Sequence, residues 1–385
     1  MRIAVIGAGI IGAACALELA ERGAEVVIID RVGVAGETSS RCEGNLLVSD
    51  KGPGPEADLA IHSNEQWRSL AARLDEARTG GQPATEFEAK GGVVVAFPGG
   101  EAELRRFAAT QREIGIRAEE LDADRLRATE PNLSPEVALA IHYPDDAQLQ
   151  PSNTTQALAA TAIRRGARLV VAEVTGARTE GGRIAALETT TGRIAADAVV
   201  NCAGPWAGEL GERLGAPLDI RPRRGVILVT TPMPQRVFHK VYDADYVGAV
   251  GSGDAALQTS TVVESTPGGT VLIGSSRERV GFDDHPGVDP VRAIAAKAIR
   301  LFPFLADTAL LRSYFGFRPY APDHLPVIGE DPRIGGLFHA TGHEGAGIGL
   351  APATAELVAH AVLGAQTTLD PAPFLPSRAG LGVAA

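Results

Sequence analysis

Val5-Ile6-Gly7-Ala8-Gly9-Ile10-Ile11-Gly12 decides how the rest of this 385-residue chain is read. Residues 2–6 lead into it as a short apolar run, the pattern of a fully buried strand. Residues 11–22 follow with a helical pattern that Gly23 stops. Val26 to Ile29 then form a second apolar run ending at Asp30. Strand, glycine loop, helix and strand within about thirty residues make a βαβ unit. In Gly7-x-Gly9-x-x-Gly12 the first glycine permits the tight turn, and the second lets the backbone approach a pyrophosphate. The third lets the helix pack closely on the strand, and the helix N-terminus favours the anion. Ile10 and Ile11 open that helix. Asp30 can accept hydrogen bonds from a ribose diol; an ordinary strand-end turn residue is the plainer alternative. A bound dinucleotide is expected, and the motif alone does not separate NAD from FAD.

Two further loops bear on that choice. The polar loop from Gly36 to Asn45 contains Thr38-Ser39-Ser40-Arg41, whose hydroxyls and cation can hold phosphate oxygens or fix the loop beneath a flavin ring; a solvated turn is the alternative. Thr341-Gly342-His343-Glu344-Gly345-Ala346-Gly347-Ile348-Gly349 opens a second helix, expected over residues 350–363. A helix N-terminus stabilises negative charge, as a reduced flavin carries. His343 or Glu344 can line the flavin face or the substrate pocket, although a loop histidine is as often a structural hydrogen-bond partner. Arg318, just after a probable strand, can fork onto a substrate carboxylate. Arg223 and Arg224 offer the same chemistry, but neighbours in a strand point to opposite faces, so only one can face a pocket.

Other segments alternate between helix and strand. Helices are expected over 56–79, 101–113, 122–129, 152–165 (capped by Ser152) and 289–302. Strands are expected at 93–97, 169–171 and 198–201, with a hairpin about Gly181-Gly182, and longer ones at 219–230, 239–250 and 257–274. The formal charge of −11, without a basic run, argues against nucleic-acid binding. Three widely spaced cysteines suggest neither a disulfide framework nor a chain-internal metal or iron–sulfur site, and a reducing cytoplasm suits them. No stretch is long and apolar enough to span a membrane.

These segments together resemble the D-amino-acid oxidase superfamily of flavoproteins, which includes glycine oxidase and sarcosine oxidase. The resemblance rests on Val5–Gly12, Thr38–Asn45, Val200–Ala207, Phe317–Gly329 and Gly342–Leu350, and it covers nearly the whole chain. Glu43-Gly44-Asn45-Leu46-Leu47 and His343–Leu350 look most like the FAD-carrying β subunits of heteromeric dehydrogenases: hydrogen cyanide synthase, opine oxidase, and hydroxyproline and proline dehydrogenases. The resemblance implies an α/β protein in which a Rossmann-type FAD-binding domain (1–50, 148–215, 320–385) interleaves with an α+β substrate domain (51–147, 216–319) built on a largely antiparallel sheet. It implies oxidation of a carbon–nitrogen bond of an amino acid or opine by hydride transfer to flavin N5, with no essential side-chain base. Arg318 would bind the substrate carboxylate, while Asp30, Arg31 and the backbone at Val174 meet the adenine and ribose. Ala203 and Gly204 would pass close to the cofactor, as would Gly44 and Asn45. Tyr246, Tyr320 and His343 are candidates for the substrate pocket. Gly316 and Arg41 stand where relatives carry a flavin-linked cysteine or histidine, so non-covalent FAD is expected. The β-subunit likeness implies a partner chain with an iron–sulfur or flavin centre. A self-sufficient peroxide-producing oxidase, a flavin-binding assembly subunit without catalysis and an NAD(P)-dependent dehydrogenase remain alternatives.

Overall fold

A computed structural model describes residues 1–244 and 254–381. Its first layer is a six-stranded sheet in the order β18-β19-β12-β1-β2-β8. These strands are β1 (Arg2–Ile6), β2 (Glu25–Asp30), β8 (Arg168–Val171), β12 (Ala198–Asn201), β18 (Val327–Glu330) and β19 (Leu337–Thr341). All neighbours run parallel except β18 against β19. Residues on a strand alternate faces. Ile3 and Val5 of β1 accordingly pack against helices, while Ala4 and Ile6 pack toward a three-stranded sheet on the other side. That small sheet comprises β9 (Val174–Glu180), β10 (Arg183–Thr189) and β11 (Gly192–Ala195). Its first turn is the expected Gly181-Gly182 pair, with φ of 58° and 78°, the geometry of a two-residue hairpin.

Helix α1 (Ile10–Glu21) is buried on nearly every side, because α5 (Pro151–Arg164) and the final helix α8 (Gly347–Leu363) flank it. Its sequence is apolar all round, as such a position requires. Gln150, rather than Ser152, caps α5: the Gln150 side chain accepts from the Asn153 amide at 2.8 Å, and Pro151 takes the first helical position. Helix α2 (Pro55–Glu76) packs on α8 and α5, and so covers the nucleotide-side layer although the sequence places it in the other segment.

The second layer is an eight-stranded sheet in the order β17-β13-β16-β15-β14-β4-β6-β5. It unites β4 (Gly92–Ala96), β5 (Glu119–Leu121) and β6 (Leu139–Tyr143) with β13 (Arg221–Thr230), β14 (Lys240–Asp243), β15 (Gln258–Ser265), β16 (Val271–Arg277) and β17 (Leu310–Tyr320). Every pairing is antiparallel except β14 with β4. Ile294, Ala298 and Leu301 of α7 (Asp289–Leu301) cover one face against Val226, Leu228 and Ile273. Three expectations need correction. The strand expected over 257–274 is two strands, β15 and β16, because Pro267-Gly268-Gly269 turns the chain back. The expected strand 239–250 is β14 alone within the described residues, and the candidate Tyr246 lies outside them. Gly316–Tyr320 belongs to strand β17 itself rather than following one.

Candidate active site

A cleft enclosing about 1680 Å³, its open mouth included, runs from the C-terminal ends of β1 and β2 to the face of the eight-stranded sheet. Ligands of open parallel sheets bind at such strand ends. At one end lie Asp30, Arg31 and Val174; at the other lie Gly225, Gly316 and Arg318.

The glycine cradle is built from contacts that no side chain tolerates. Gly7 sits at φ 110°, and a Cβ there would strike the carbonyl of Cys202 on the neighbouring strand end. A Cβ on Gly12 would strike the Gly7 carbonyl. Gly9 instead faces the cleft, and its absent Cβ would meet only Ser39 Oγ, at 3.0 Å. Gly204, at φ 55°, has nothing within 4 Å of its missing Cβ. The backbone at Gly9 and Gly204 is therefore bare toward the cleft, as close approach of a pyrophosphate requires. Asp30 also organises this end. One carboxylate oxygen accepts from the Ala8 amide at 2.8 Å, and the other accepts from Val32 and Gly33 at 2.8 and 2.9 Å. The turn role and a place on the cleft wall thus coincide in one side chain. Trp206, which the sequence showed only as part of a motif, stacks on Phe282 at 5.2 Å and lies under Arg31 at 4.3 Å, walling the same end.

The loop 36–45 crosses the middle of the cleft. The Thr38 hydroxyl donates to the Phe317 carbonyl at 2.8 Å and ties this loop to β17. Ser39 Oγ accepts from the Ile10 amide at 2.9 Å, capping α1 from outside. Both residues line the cleft, as do Ile10, Ile11, Gly44, Asn45 and Ala203. Ser40 does not: its hydroxyl turns back to the Glu37 carbonyl at 2.8 Å, on the exposed side. Gly12 and Gly342 also stand off the wall, because both are consumed in packing. Ala346 and Gly349 line a small neighbouring cavity instead, together with Asn45.

Helix α8 starts three residues earlier than its apolar run suggests, so Gly345, Gly347 and Ile348 bring its N-terminus to the cleft. His343 is buried and meets Thr354 Oγ1 at 2.9 Å; burial pushes its pKa down to about 3, so the ring is neutral. Glu344 has φ 47°, unusual for a residue with a Cβ. Its carboxylate is locked by the buried Arg223 and by His324 Nδ1 at 3.3 Å, and its amide donates to the Pro319 carbonyl at 3.0 Å. Although burial opposes ionisation, these partners hold Glu344 below its usual pKa.

Arg318 emerges from β17 onto the cleft face. Its neighbour across the strands is Arg223, and Gly316 faces Gly225. A Cβ on Gly225 would come within 2.6 Å of the Arg318 guanidinium carbon, so this glycine makes room for the fork. Ser276 O accepts from Arg318 Nη1 at 2.9 Å and fixes its direction. Arg223 and Arg224 separate as their alternation demands. Arg223 points to Glu344; Arg224 pairs with Glu278 and Asp283 on the opposite face, and neither lines the cleft. Among the cleft groups that sequence reasoning missed are Glu43 and Arg277. Arg277 is buried and donates to Ser260 Oγ at 2.8 Å. Glu43 stands in a loop motif that gave it no role of its own and Arg277 in no motif at all, since both become cleft residues only when the strands assemble.

Bare glycine backbone at a helix N-terminus, an acidic strand end and a cleft reaching to a second sheet define a dinucleotide-binding α/β protein, and the family match makes that dinucleotide FAD and the class flavin-dependent oxidoreductases. The chain matches the family of FAD dependent oxidoreductases over residues 2–361 and belongs to it. It is 32% identical over 389 residues to glycine oxidase from Geobacillus kaustophilus, with 98% of this chain and 96% of that protein covered. The hydrogen cyanide synthase subunit HcnC of Pseudomonas protegens is 28% identical over 422 residues, covering 98% and 95% of the two chains. The crystal structure of the Geobacillus kaustophilus glycine oxidase superimposes with a TM-score of 0.88 at 31% identity, covering 98% of this chain and 99% of that one. These likenesses agree with the superfamily and the mixed α/β architecture that the sequence suggested.

Proposed function

We propose that this chain oxidises the carbon–nitrogen bond of an amino acid or opine, with FAD held non-covalently along the cleft. The observation that carries the reading is Arg318, a guanidinium aimed by Ser276 into the far end of the nucleotide cleft. A bidentate guanidinium–carboxylate pair fixes both position and orientation of a small acid. Bound FAD supplies the two-electron acceptor for the hydride leaving the substrate. The protein's part is to bind and orient. The first turn of α1, Gly9 and Gly204 take the pyrophosphate; Asp30, Arg31 and Val174 take the ribose and adenine; the N-terminus of α8 stabilises charge at the flavin ring. His343, neutral and bonded to Thr354, positions that helix start and does not act as an acid or base.

On this reading segments 1–50, 148–215 and 320–385 form the FAD-binding part, which α2 joins by packing on α5 and α8, and the rest of 51–147 with 216–319 forms the substrate part. For the electron acceptor we favour a partner chain, on the similarity to hydrogen cyanide synthase subunit HcnC. The higher identity to glycine oxidase supports a second reading, a self-sufficient oxidase that passes electrons to oxygen. Anaerobic addition of glycine, D- and L-amino acids, prolines and opines tests the substrate class. Loss of the oxidised-flavin absorption with one of them supports it, and no bleaching by any of them overturns it. Peroxide formed by the isolated chain, stoichiometric with substrate, selects the oxidase; turnover with an artificial dye but not oxygen selects the partner chain.

A further inference from the structure

Arg318 is not the sole guanidinium on the cleft face of the eight-stranded sheet. Arg277 of β16 lines the same cleft and is 3% exposed. One stretch of backbone sets both side chains. Ser276 O, which accepts from Arg318 Nη1 at 2.9 Å, belongs to the peptide that leads into Arg277. Arg318 starts on β17 and reaches across β13 at Gly225 to that carbonyl on β16. Arg277 starts on β16 and reaches on to β15, where Ser260 Oγ accepts from its Nη1 at 2.8 Å. The guanidiniums thus lie in a row across neighbouring strands. With strands about 4.8 Å apart, their tips stand about 5–10 Å from each other, the span of a small molecule with a carboxylate at each end. Burying such cations is costly unless anions meet them. Among the described residues, the carboxylates lining this end of the cleft are Glu43 and Glu344. Glu344 is committed to Arg223 and His324. Glu43 is enclosed against β16, where a Cβ on Gly274 would overlap its carboxyl. Burial pushes the Glu43 pKa up, although Lys240, Arg318 and Arg277 oppose the shift. The negative charge opposite the two guanidiniums is therefore partly committed and partly hard to form, and a ligand can supply more of it.

We propose that Arg277 binds a second carboxylate, so that the substrate is an amino acid carrying two of them. This rests on the amino-acid reading of the site and narrows it. Arg318 takes the carboxylate beside the reacting carbon, and Arg277 takes the other. An amino acid with one carboxylate is a zwitterion without net charge near neutral pH; a second carboxylate makes it a net anion, which the second guanidinium meets. The two anchors also differ from one in geometry. A single fork leaves a small molecule free to turn about its carboxylate, whereas a fork at each end fixes which carbon–hydrogen bond is presented to the cofactor. The second carboxylate sits either on the side chain, as in an acidic amino acid, or on a substituent of the nitrogen, as in the opine class. The chemistry at Arg277 is the same in both.

The test measures dissociation constants on the FAD-loaded protein. They come from the concentration dependence of anaerobic flavin reduction, or from competition with a reducing amino acid where a compound is not itself oxidised. Each diacid is paired with its half-amide: glutamate with glutamine and aspartate with asparagine, in both enantiomers, and iminodiacetate with its monoamide. The wild type should prefer the diacid in at least one pair by about tenfold to a hundredfold, the worth of a charge-assisted hydrogen bond. The pair that shows the preference tells whether the second carboxylate rides on the side chain or on the nitrogen. In Arg277→Gln that ratio should fall to near one. Lost packing alone would weaken diacid and amide alike and leave the ratio in place. Ratios near one in every wild-type pair, or a ratio that R277Q leaves unchanged, overturn the role of Arg277. If R277Q does not hold FAD, Arg277→Lys decides. It keeps the charge without the planar fork, so a reduced ratio supports the role and an unchanged ratio overturns it. Flavin reduction by amino acids with one carboxylate, without any diacid preference, defeats this inference alone. No bleaching by any amino acid, with one carboxylate or two, defeats the amino-acid reading beneath it.

Discussion

Arg318 and His343 show how two residues in one cleft are made for different work. Arg318 is half-buried, its direction set by Ser276 and its space by Gly225. Replacing it with leucine should weaken carboxylate substrates by about 2–4 kcal/mol, the loss of a charge-assisted pair. FAD content should stay unchanged, because the residue sits at the opposite end from the pyrophosphate cradle; a Michaelis constant and rate equal to wild type would remove it from the site. His343 is kept neutral by burial, with a pKa of about 3. Unfolded, it takes a proton below about pH 6.5. Between those values the unfolded chain binds the extra proton, so this residue's contribution to stability declines as pH falls from about 6.5 toward 3. Urea titrations at pH 7 and pH 4.5 should show a smaller acid-side loss for His343→Gln than for wild type. Equal losses would assign the acid sensitivity elsewhere.

At the scale of elements, the start of α8 is held from outside by α2. Trp67 Nε1 donates to the carbonyls of Ile348 and Gly349, both at 3.0 Å, and Ser63 Oγ donates to Gly349 at 2.6 Å. The indole is fully buried. Trp67→Phe removes the donor and should cost about 1–3 kcal/mol. Trp67→Ala adds a cavity and should cost about 3–5 kcal/mol. Both should also raise the FAD dissociation constant, measured by fluorescence on reconstitution. Unchanged FAD affinity at reduced stability would separate this clasp from the cofactor.

Elements also show where the sequence was legible. Gly7 to Asp30 was readable because its signals are local: one apolar strand, three glycines at fixed spacing, and a capped turn. The β15–β16 hairpin was merged into one strand because its β-branched residues continue on both sides of Pro267-Gly268-Gly269, and residue type outweighed the turn signal. Arg318 was singled out as a candidate, but its setting was not visible, since Gly225 lies more than ninety positions upstream and meets it only through strand pairing. Glu43 was hidden for the same reason: in sequence it is one more polar loop residue, and only Gly274 on a distant strand turns it into a buried carboxyl facing the cleft.

For the molecule as a whole, the cleft joins two sheets that share no strand. A ligand spanning both should stabilise them together, by RT ln(1 + [L]/Kd). Removing FAD should therefore lower the melting temperature, and adding it back at about a hundred times its dissociation constant should restore about 2.7 kcal/mol. A melting temperature independent of FAD would show that the cofactor does not bridge the two layers.

The order of strands carries one more consequence, for synthesis on the ribosome. β1 emerges well before one of its two neighbours, β12, which begins only at Ala198, and before α8, one of the two helices that cover α1, which begins only at Gly347. Gly7 cannot close against Cys202 until that second neighbour exists. Until then the nascent chain exposes an open strand edge and an apolar helix, the surfaces on which misassembly starts. Cofactor uptake thus waits for β12 and α8, and β1 and α1 stand exposed until those later pieces complete them.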